Sequence, residues 1–268
     1  MNFKRIISGL ILFPLVAILL IFGNTYVVDV TIAVVAILSL YEFYKSFEGK
    51  AKPVTWLGYI AAASISLIHL VPQGMTLKLV GIIIPLSILL LFAIVIHREM
   101  KINIFDIAIT FFGICYIVIF LMFISIIREN IPQGRILLWY VFFTSWGTDI
   151  FAYFVGKSIG KHKFTKISPN KTIEGCIGGT IGSVILVLIY TLICNTVFNL
   201  NINYIYILLV GIILSLIGQL GDLAASSIKR FNGIKDFSEL IPGHGGMLDR
   251  IDSIIFIAPF AYLFLSIL

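Results

Sequence analysis

The sequence predicts an all-α integral membrane protein of about nine transmembrane helices, with its N-terminus cytoplasmic and its C-terminus on the opposite side. Three observations predict it. Of 268 residues, 60% are hydrophobic and 12% charged, with a mean hydropathy of +1.09; soluble domains carry roughly 25% charge. Apolar stretches near the ~20 residues that cross a bilayer follow one another along the chain. Lysines and arginines gather on alternate connections between them.

The nine stretches run over about residues 6–22, 26–43, 54–71, 78–96, 104–127, 136–156, 175–198, 204–228 and 247–268. Lys4 and Arg5 precede the first, which imitates a secretory signal. Gly23 to Tyr26 lacks a small-x-small cleavage site, so the segment reads as a retained first helix. Pro53, Pro72-Gln73-Gly74, Pro132-Gln133-Gly134 and the run from Asn199 to Asn203 break the chain between stretches. Pro14, Pro85 and Pro259 fall inside them, where a membrane helix tolerates a kink if neighbours satisfy the freed carbonyls. Cys115, Cys176 and Cys194 lie in apolar runs without metal-type spacing, and read as buried thiols that pack as small hydrophobes. No strand alternation or internal repeat is visible, and no nucleic-acid partner is expected.

With the N-terminus inside, the cytoplasmic side holds Lys4, Arg5, Lys45, Lys50, Lys52, Arg98, Lys101, Lys157, Lys161, Lys163, Lys166, Lys171, Lys229, Arg230, Lys235 and Arg250. The other side holds only Lys78, Arg128 and Arg135. That asymmetry is the positive-inside pattern, and removing one helix would scramble it. The last two cytoplasmic loops, about 157–174 and 229–250, also carry acids, glycines and prolines that topology alone does not need. Two regions are therefore expected: 1–130 as a helical scaffold available for dimer or lipid contacts, and 131–268 as a catalytic part with its active face cytoplasmic.

Two acids lie inside apolar segments. Asp149 is roughly 20 Å along its helix and Asp222 roughly 27 Å along its own, at 1.5 Å per residue. A carboxylate in the membrane costs about 2.5–3.5 kcal/mol on insertion scales and is a functional-site hypothesis by default. Asp149, Tyr153 and Gly156 recur at i, i+4 and i+7, as do Asp222, Ser226 and Lys229, so each set shares a helix face. Such stripes should face a water-filled cavity or each other. Counted back from the C-terminus, Asp249 reaches a depth similar to Asp222, with Asp252 one turn further. Carboxylates brought together there need cations: Arg230, Lys235 and Arg250, or a divalent metal such as Mg²⁺, which takes a few carboxylates and leaves coordination for phosphates.

The loops supply anion-binding character. "KISPNKTIEGCIGG" sets Lys166 and Lys171 beside Ser168, Asn170 and Thr172. Thr172 followed by Glu174 resembles a helix N-cap with an acid in the first turn, and helix N-termini bind anions. In "GHGGM", Gly245 and Gly246 let backbone amides turn toward a phosphate, and His244 offers a hydrogen bond or a proton shuttle. His69, His97 and His162 have no comparable context.

The stretch "SSIKRFNGIKDFSELIPGHGGMLDRID", Ser226 to Asp252, resembles the C-terminal motif of the phosphatidate cytidylyltransferases, or CDP-diacylglycerol synthases. Every fixed position is filled: Ser226, Lys229, Arg230, Lys235, Asp236, Ser238, Pro242, His244, Gly245, Gly246, Asp249, Arg250 and Asp252. "GDL", "DIFAYFVGK" and "SPNKTIEG" look like other stretches of the same family, so the resemblance covers about residues 135–268. It departs at Ala225, where an acid is common, at Phe151, where glycine is common, and at Ile173, where tryptophan is common.

The resemblance implies transfer of CMP from CTP to phosphatidate, giving CDP-diacylglycerol and pyrophosphate. It implies Mg²⁺, with a monovalent cation such as K⁺, and a homodimer. By carry-over, Asp222 and Asp249 hold the metal, with Asp252 and Asp149 as ligands or orienting groups. Lys229, Arg230, Lys235 and Arg250 bind triphosphate or lipid phosphate, and Ser168, Asn170 and Lys171 line the nucleotide path. A CDP-alcohol phosphotransferase would show D-G-x-x-A-R, which is missing. The alternative of another class, an ion-coupled transporter using Asp149 and Asp222, leaves the loop glycines and His244 unexplained.

Overall fold

The computed structural model describes residues 14–72, 74–97, 102–241, 243 and 245–268. Residues 14–22 are helical. The longer helices that follow are α1 (Thr25–Ser46), α2 (Thr55–Leu70), α3 (Thr76–His97), α4 (Ile104–Asn130), α5 (Trp139–Ile159), α6 (Ile173–Val197), α7 (Tyr204–Phe231) and α8 (Leu248–Leu265). Among the described residues there is no strand, only isolated bridges of Lys163 with Thr172 and Ile241 with Gly245. The fold is all-helical, and α1, α3, α4, α6 and α7 are each long and apolar enough to cross a membrane.

The remaining helices fall short of that measure for visible reasons. Helix α2 has 16 residues and tightens to a 3₁₀ helix over Ile65–Leu70. Helix α5 is diluted by Thr144, Ser145, Thr148 and Asp149, and α8 opens with Asp249, Arg250 and Asp252. Lys4, Arg5, Arg98 and Lys101, counted for orientation, lie outside the described residues, as do Pro242 and His244.

The chain divides into two compact units. One comprises Met1–Pro132 with Asp236–Arg250, the other Gln133–Lys235 with Ile251–Leu268. In the first, α1 is central, burying Val28, Ala36, Leu40 and Phe43 among α2 and α4. Tyr44 donates to the Thr110 carbonyl at 3.1 Å, its ring seated where side chains on Gly58 or Gly113 would collide with it. Helix α4 starts in a capping box, Asn103 with Asp106, and contains a π-helical turn over Ile114–Ile119. At the far end of α4 the buried Arg128 donates to the Gly23 carbonyl at 2.5 Å, and Thr25 donates to Glu129 at 2.9 Å.

In the second unit α5 and α6 form the tightest pair. Gly175, Gly178, Gly179 and Gly182 recur along one face of α6, and small residues there let two membrane helices approach closely. A Cβ on Gly179 would stand 2.8 Å from the Thr148 carbonyl, and one on Gly182 would overlap the Phe151 ring. Hydroxyls knit the interior: Thr148 with Ser215 at 2.8 Å, Ser145 with Ser253 at 2.7 Å and Tyr140 with Thr191 at 2.8 Å.

Several helix ends differ from expectation. Helix α5 runs on to Ile159, so Lys157 lies in its last turn. Helix α6 begins two residues early because Thr172 caps it, accepting from the Gly175 amide at 3.1 Å. Helix α7 runs to Phe231, placing Lys229 and Arg230 at a C-terminus, where the helix dipole favours cations. Asp249 and Arg250, where the expected loop 229–250 overlaps the expected stretch 247–268, lie in the first turn of α8. His162, read as lacking context, approaches Glu174 at 2.5 Å, and His69 stands 3.3 Å from the buried Asp29. Of the thiols only Cys194 is buried; Cys115 and Cys176 are half-buried.

Candidate functional site

Within the second unit a cavity of about 230 Å³ is lined by Thr148, Asp149, Ala152, Tyr153, Asn170, Lys171, Thr172, Gly175, Cys176, Gln219 and Asp222. Five residues singled out in the sequence, Asp149, Tyr153, Asn170, Lys171 and Asp222, thus share one space. Each arrives by a different local device. Asp149 and Tyr153 are one turn apart on α5. Lys171 is fixed at the end of the α5–α6 loop, where its amide donates to the Ser168 carbonyl at 3.0 Å and its carbonyl accepts from Phe164 at 3.0 Å. Asp222 comes from α7, and its carboxylate forms an ion pair with the Lys171 ammonium.

That ion pair is half-exposed, at 23% and 27% for the two side chains. Both groups line the cavity, so a phosphate or an incoming cation can approach either partner from it. Behind it, Gln219 donates to Thr180 at 2.9 Å and to the Cys176 carbonyl at 3.3 Å. Lys157 lies 5.8 Å from the centre of the Tyr153 ring, adding a cation near the rim. Glu174 holds the loop by accepting from the amides of Lys161 at 3.1 Å and His162 at 3.2 Å.

Asp252 is buried on α8, its Oδ1 accepting from the Ser253 amide at 2.8 Å. It is close enough to Asp222, Asp149 and Lys229 to interact with them electrostatically. Gly221 allows this approach, since a Cβ there would meet the Asp252 carbonyl at 2.8 Å. Ser226 and Lys229 are buried further along α7. Arg230 is exposed, donating to the carbonyls of Ile234 at 3.0 Å and Ile167 at 3.4 Å, so it braces the preceding loop. Lys235 is exposed.

The rest of the motif belongs to the first unit. Asp249 is buried, and its Oδ2 accepts from the amides of Phe237 at 2.9 Å and Gly246 at 3.0 Å. Gly245 has φ +83°, a left-handed conformation that L side chains rarely adopt. Arg250 is exposed. Glu42, which the sequence reading passed over, is 1% exposed on α1. Its carboxylate accepts from Ser238 Oγ at 2.6 Å, the Met247 amide at 2.9 Å and the Leu248 amide at 2.8 Å. An acid inside an apolar span was the signal available for it, the same signal that marked Asp149. Gln219, Thr180 and Ser215 gave no such signal, because uncharged polar residues are ordinary in membrane helices.

The donor chemistry suits a hard cation. Among the described residues no group of three or more His, Cys, Asp or Glu side chains is gathered closely enough to enclose a metal ion. Mg²⁺ does not require such a cage; one or two carboxylates with waters and substrate phosphates suffice. Asp149 and Asp222 line the cavity beside Lys171 and offer carboxylate oxygens next to open space for waters and phosphate.

The fold and this site define a class: an all-helical protein, among the described residues, with helices long and apolar enough to cross a membrane and a cavity lined by Asp149, Lys171 and Asp222. More narrowly, the chain belongs to the cytidylyltransferase family, whose model matches residues 3–268. It is 43% identical over 169 residues to a phosphatidate cytidylyltransferase of Bacillus subtilis (strain 168), covering 62% of this chain and 59% of that protein. To the phosphatidate cytidylyltransferase of Staphylococcus haemolyticus it is 42% identical, covering 66% and 65%. To that of Staphylococcus aureus (strain COL) it is 39% identical over 208 residues, covering 75% and 76%. The chain thus aligns with about three-fifths to two-thirds of the length of the first two of these relatives.

Proposed function

We propose that the protein is a phosphatidate cytidylyltransferase, forming CDP-diacylglycerol and pyrophosphate from CTP and phosphatidate in phospholipid synthesis. The observation that carries this reading is the cavity in which Lys171 and Asp222 form an ion pair beside Asp149 and Asn170. The family match and the names of the relatives support it.

In the reaction an oxygen of the lipid phosphate attacks the α-phosphorus of CTP in line. The bond from that phosphorus to the β-phosphate oxygen breaks, and pyrophosphate leaves with the electron pair. Such transfers ask the protein mainly for positioning and charge neutralisation. Lys171, released from Asp222, neutralises phosphate inside the cavity, and Asn170 and Tyr153 orient the nucleotide. Lys229, Arg230, Lys235 and Arg250 serve the triphosphate and the lipid phosphate. The Gly246 and Met247 amides, expected from the sequence to turn toward phosphate, donate instead to Asp249 and Glu42, which leaves His244 as the group of this turn that hydrogen-bonds to phosphate or carries a proton. Asp222 would hold Mg²⁺, which when bound neutralises the triphosphate; Asp149 and Asp252 would orient the groups beside it, and Asp249 is proposed as a ligand on the family resemblance alone.

The same proposal includes nine spans with the N-terminus and the active face cytoplasmic, a scaffold over 1–130 with a catalytic part over 131–268, a homodimer, and a monovalent cation such as K⁺. The loop chemistry supports the cytoplasmic face, since CTP is a soluble substrate and phosphatidate presents its phosphate at the interface. Purified protein given phosphatidate, CTP and Mg²⁺ should release pyrophosphate only when both substrates are present. Failure to do so under any divalent cation contradicts the assignment.

A further inference from the structure

We infer that Glu42, on α1, is a positioning residue for the reaction proposed above, holding the turn that presents Asp249. The first N–H groups of a helix have no partner inside it and are usually capped by a side chain just before it. Helix α8 begins at Leu248, and the residues before it, Gly245, Gly246 and Met247, offer no side-chain oxygen. The cap comes instead from Glu42, more than 200 residues away in sequence, which accepts from the Met247 and Leu248 amides.

The choice of a carboxylate is costly unless it is fully satisfied, because burying an unpaired charge is strongly unfavourable. Glu42 is 1% exposed and takes three donors, the third being Ser238 Oγ at 2.6 Å. Its charge also suits a helix N-terminus. Gly246 is part of the fit: a Cβ there would come within 2.5 Å of Glu42 Oε2. Asp249 completes the arrangement from the other direction, tying the Phe237 and Gly246 amides with one oxygen. Two carboxylates therefore clamp the segment from 237 to 249, one of them assigned to the chemistry and the other, Glu42, to keeping it in place. Glu42 touches backbone and a hydroxyl of this segment and acts through Asp249.

The test compares wild type, Glu42→Gln and Glu42→Asp as purified full-length proteins. The glutamine variant presents an amide N–H to donors; the aspartate variant keeps the charge on a shorter arm. For Glu42→Gln we expect kcat to fall by about 10- to 100-fold, the loss typical of residues that orient metal ligands. Apparent Mg²⁺ affinity should fall by about the same factor, while KM for CTP stays within about threefold, and Glu42→Asp should recover part of both losses. Independently of turnover, amide hydrogen exchange at Met247 and Leu248 should speed up in Glu42→Gln, with exchange over Ile117–Ile127 unchanged. Wild-type turnover and exchange in Glu42→Gln would overturn the inference. So would a loss in KM for CTP alone, or acceleration of exchange throughout α4. If wild type itself transfers no CMP, the functional reading falls, and the exchange comparison still decides whether Glu42 clamps the turn. If Glu42→Gln does not fold, Glu42→Asp carries the same comparison.

Discussion

Asp222 and Lys171 neutralise one another at the cavity: α7 brings the acid, and the loop just before α6 brings the base. Replacing either separates their roles. Asp222→Asn removes the charge that attracts a cation, and is expected to abolish turnover while leaving expression and membrane insertion unchanged. Lys171→Ala leaves Asp222 in place and is expected to weaken CTP binding. The loss should appear mainly as a raised KM, by roughly tenfold, the equivalent of about 1.4 kcal/mol. Steady-state kinetics of the two variants check both statements; near-normal activity in Asp222→Asn would remove that residue from the site. The departure at Phe151 also has a physical account, because its ring occupies the space that Gly182 leaves open.

The helices that build the site are held by backbone proximity more than by side-chain bulk. Gly175, Gly178, Gly179 and Gly182 let α6 lie against α5, and this sets the distance between Asp149 and the Lys171 loop. Gly182→Leu should therefore destabilise the protein by about 1–3 kcal/mol through overpacking. Gly81→Leu on α3, where a Cβ meets nothing within 4 Å, should have no measurable effect. Thermal unfolding in detergent, followed by tryptophan fluorescence, compares the two. Helix positions were legible in the sequence because apolar runs and the breakers Pro53, Pro132 and Asn199 to Asn203 bound them. The N-cap at Thr172 was legible from its side chain and the acid after it, whereas hydropathy does not register a C-terminal turn carrying Lys229 and Arg230. The grouping of Asp149, Tyr153 and Asp222 around a cavity followed from helical spacing. Glu42 did not, because its partners lie about 200 residues away and no local pattern joins them. The glycine face of α6 has the i, i+3, i+4, i+7 spacing in the sequence, but hydropathy marks that stretch only as an apolar span.

The chain combines helices long and apolar enough to cross a membrane, two of which (α1 and α7) still carry the acids Glu42 and Asp222, with the more polar α5 and α8. That division suits an enzyme whose two substrates differ in solubility. Its orientation is open to a direct check. In a chain with Cys115, Cys176 and Cys194 replaced by alanine, Phe198→Cys should react with an impermeant maleimide added outside intact cells, whereas Lys163→Cys should react only after lysis. The reverse pattern would invert the topology and move the charged loops to the wrong side for CTP.

The central claim, that this cavity transfers CMP to a lipid phosphate, is tested most directly by following the two ends of CTP. Purified protein is incubated with phosphatidate, Mg²⁺ and CTP labelled at either the α- or the γ-phosphate. The account predicts α-label in the lipid phase, γ-label in pyrophosphate, equal amounts of each, and neither with Asp222→Asn. γ-Label in the lipid, or no lipid label from either substrate under any divalent cation, would contradict it.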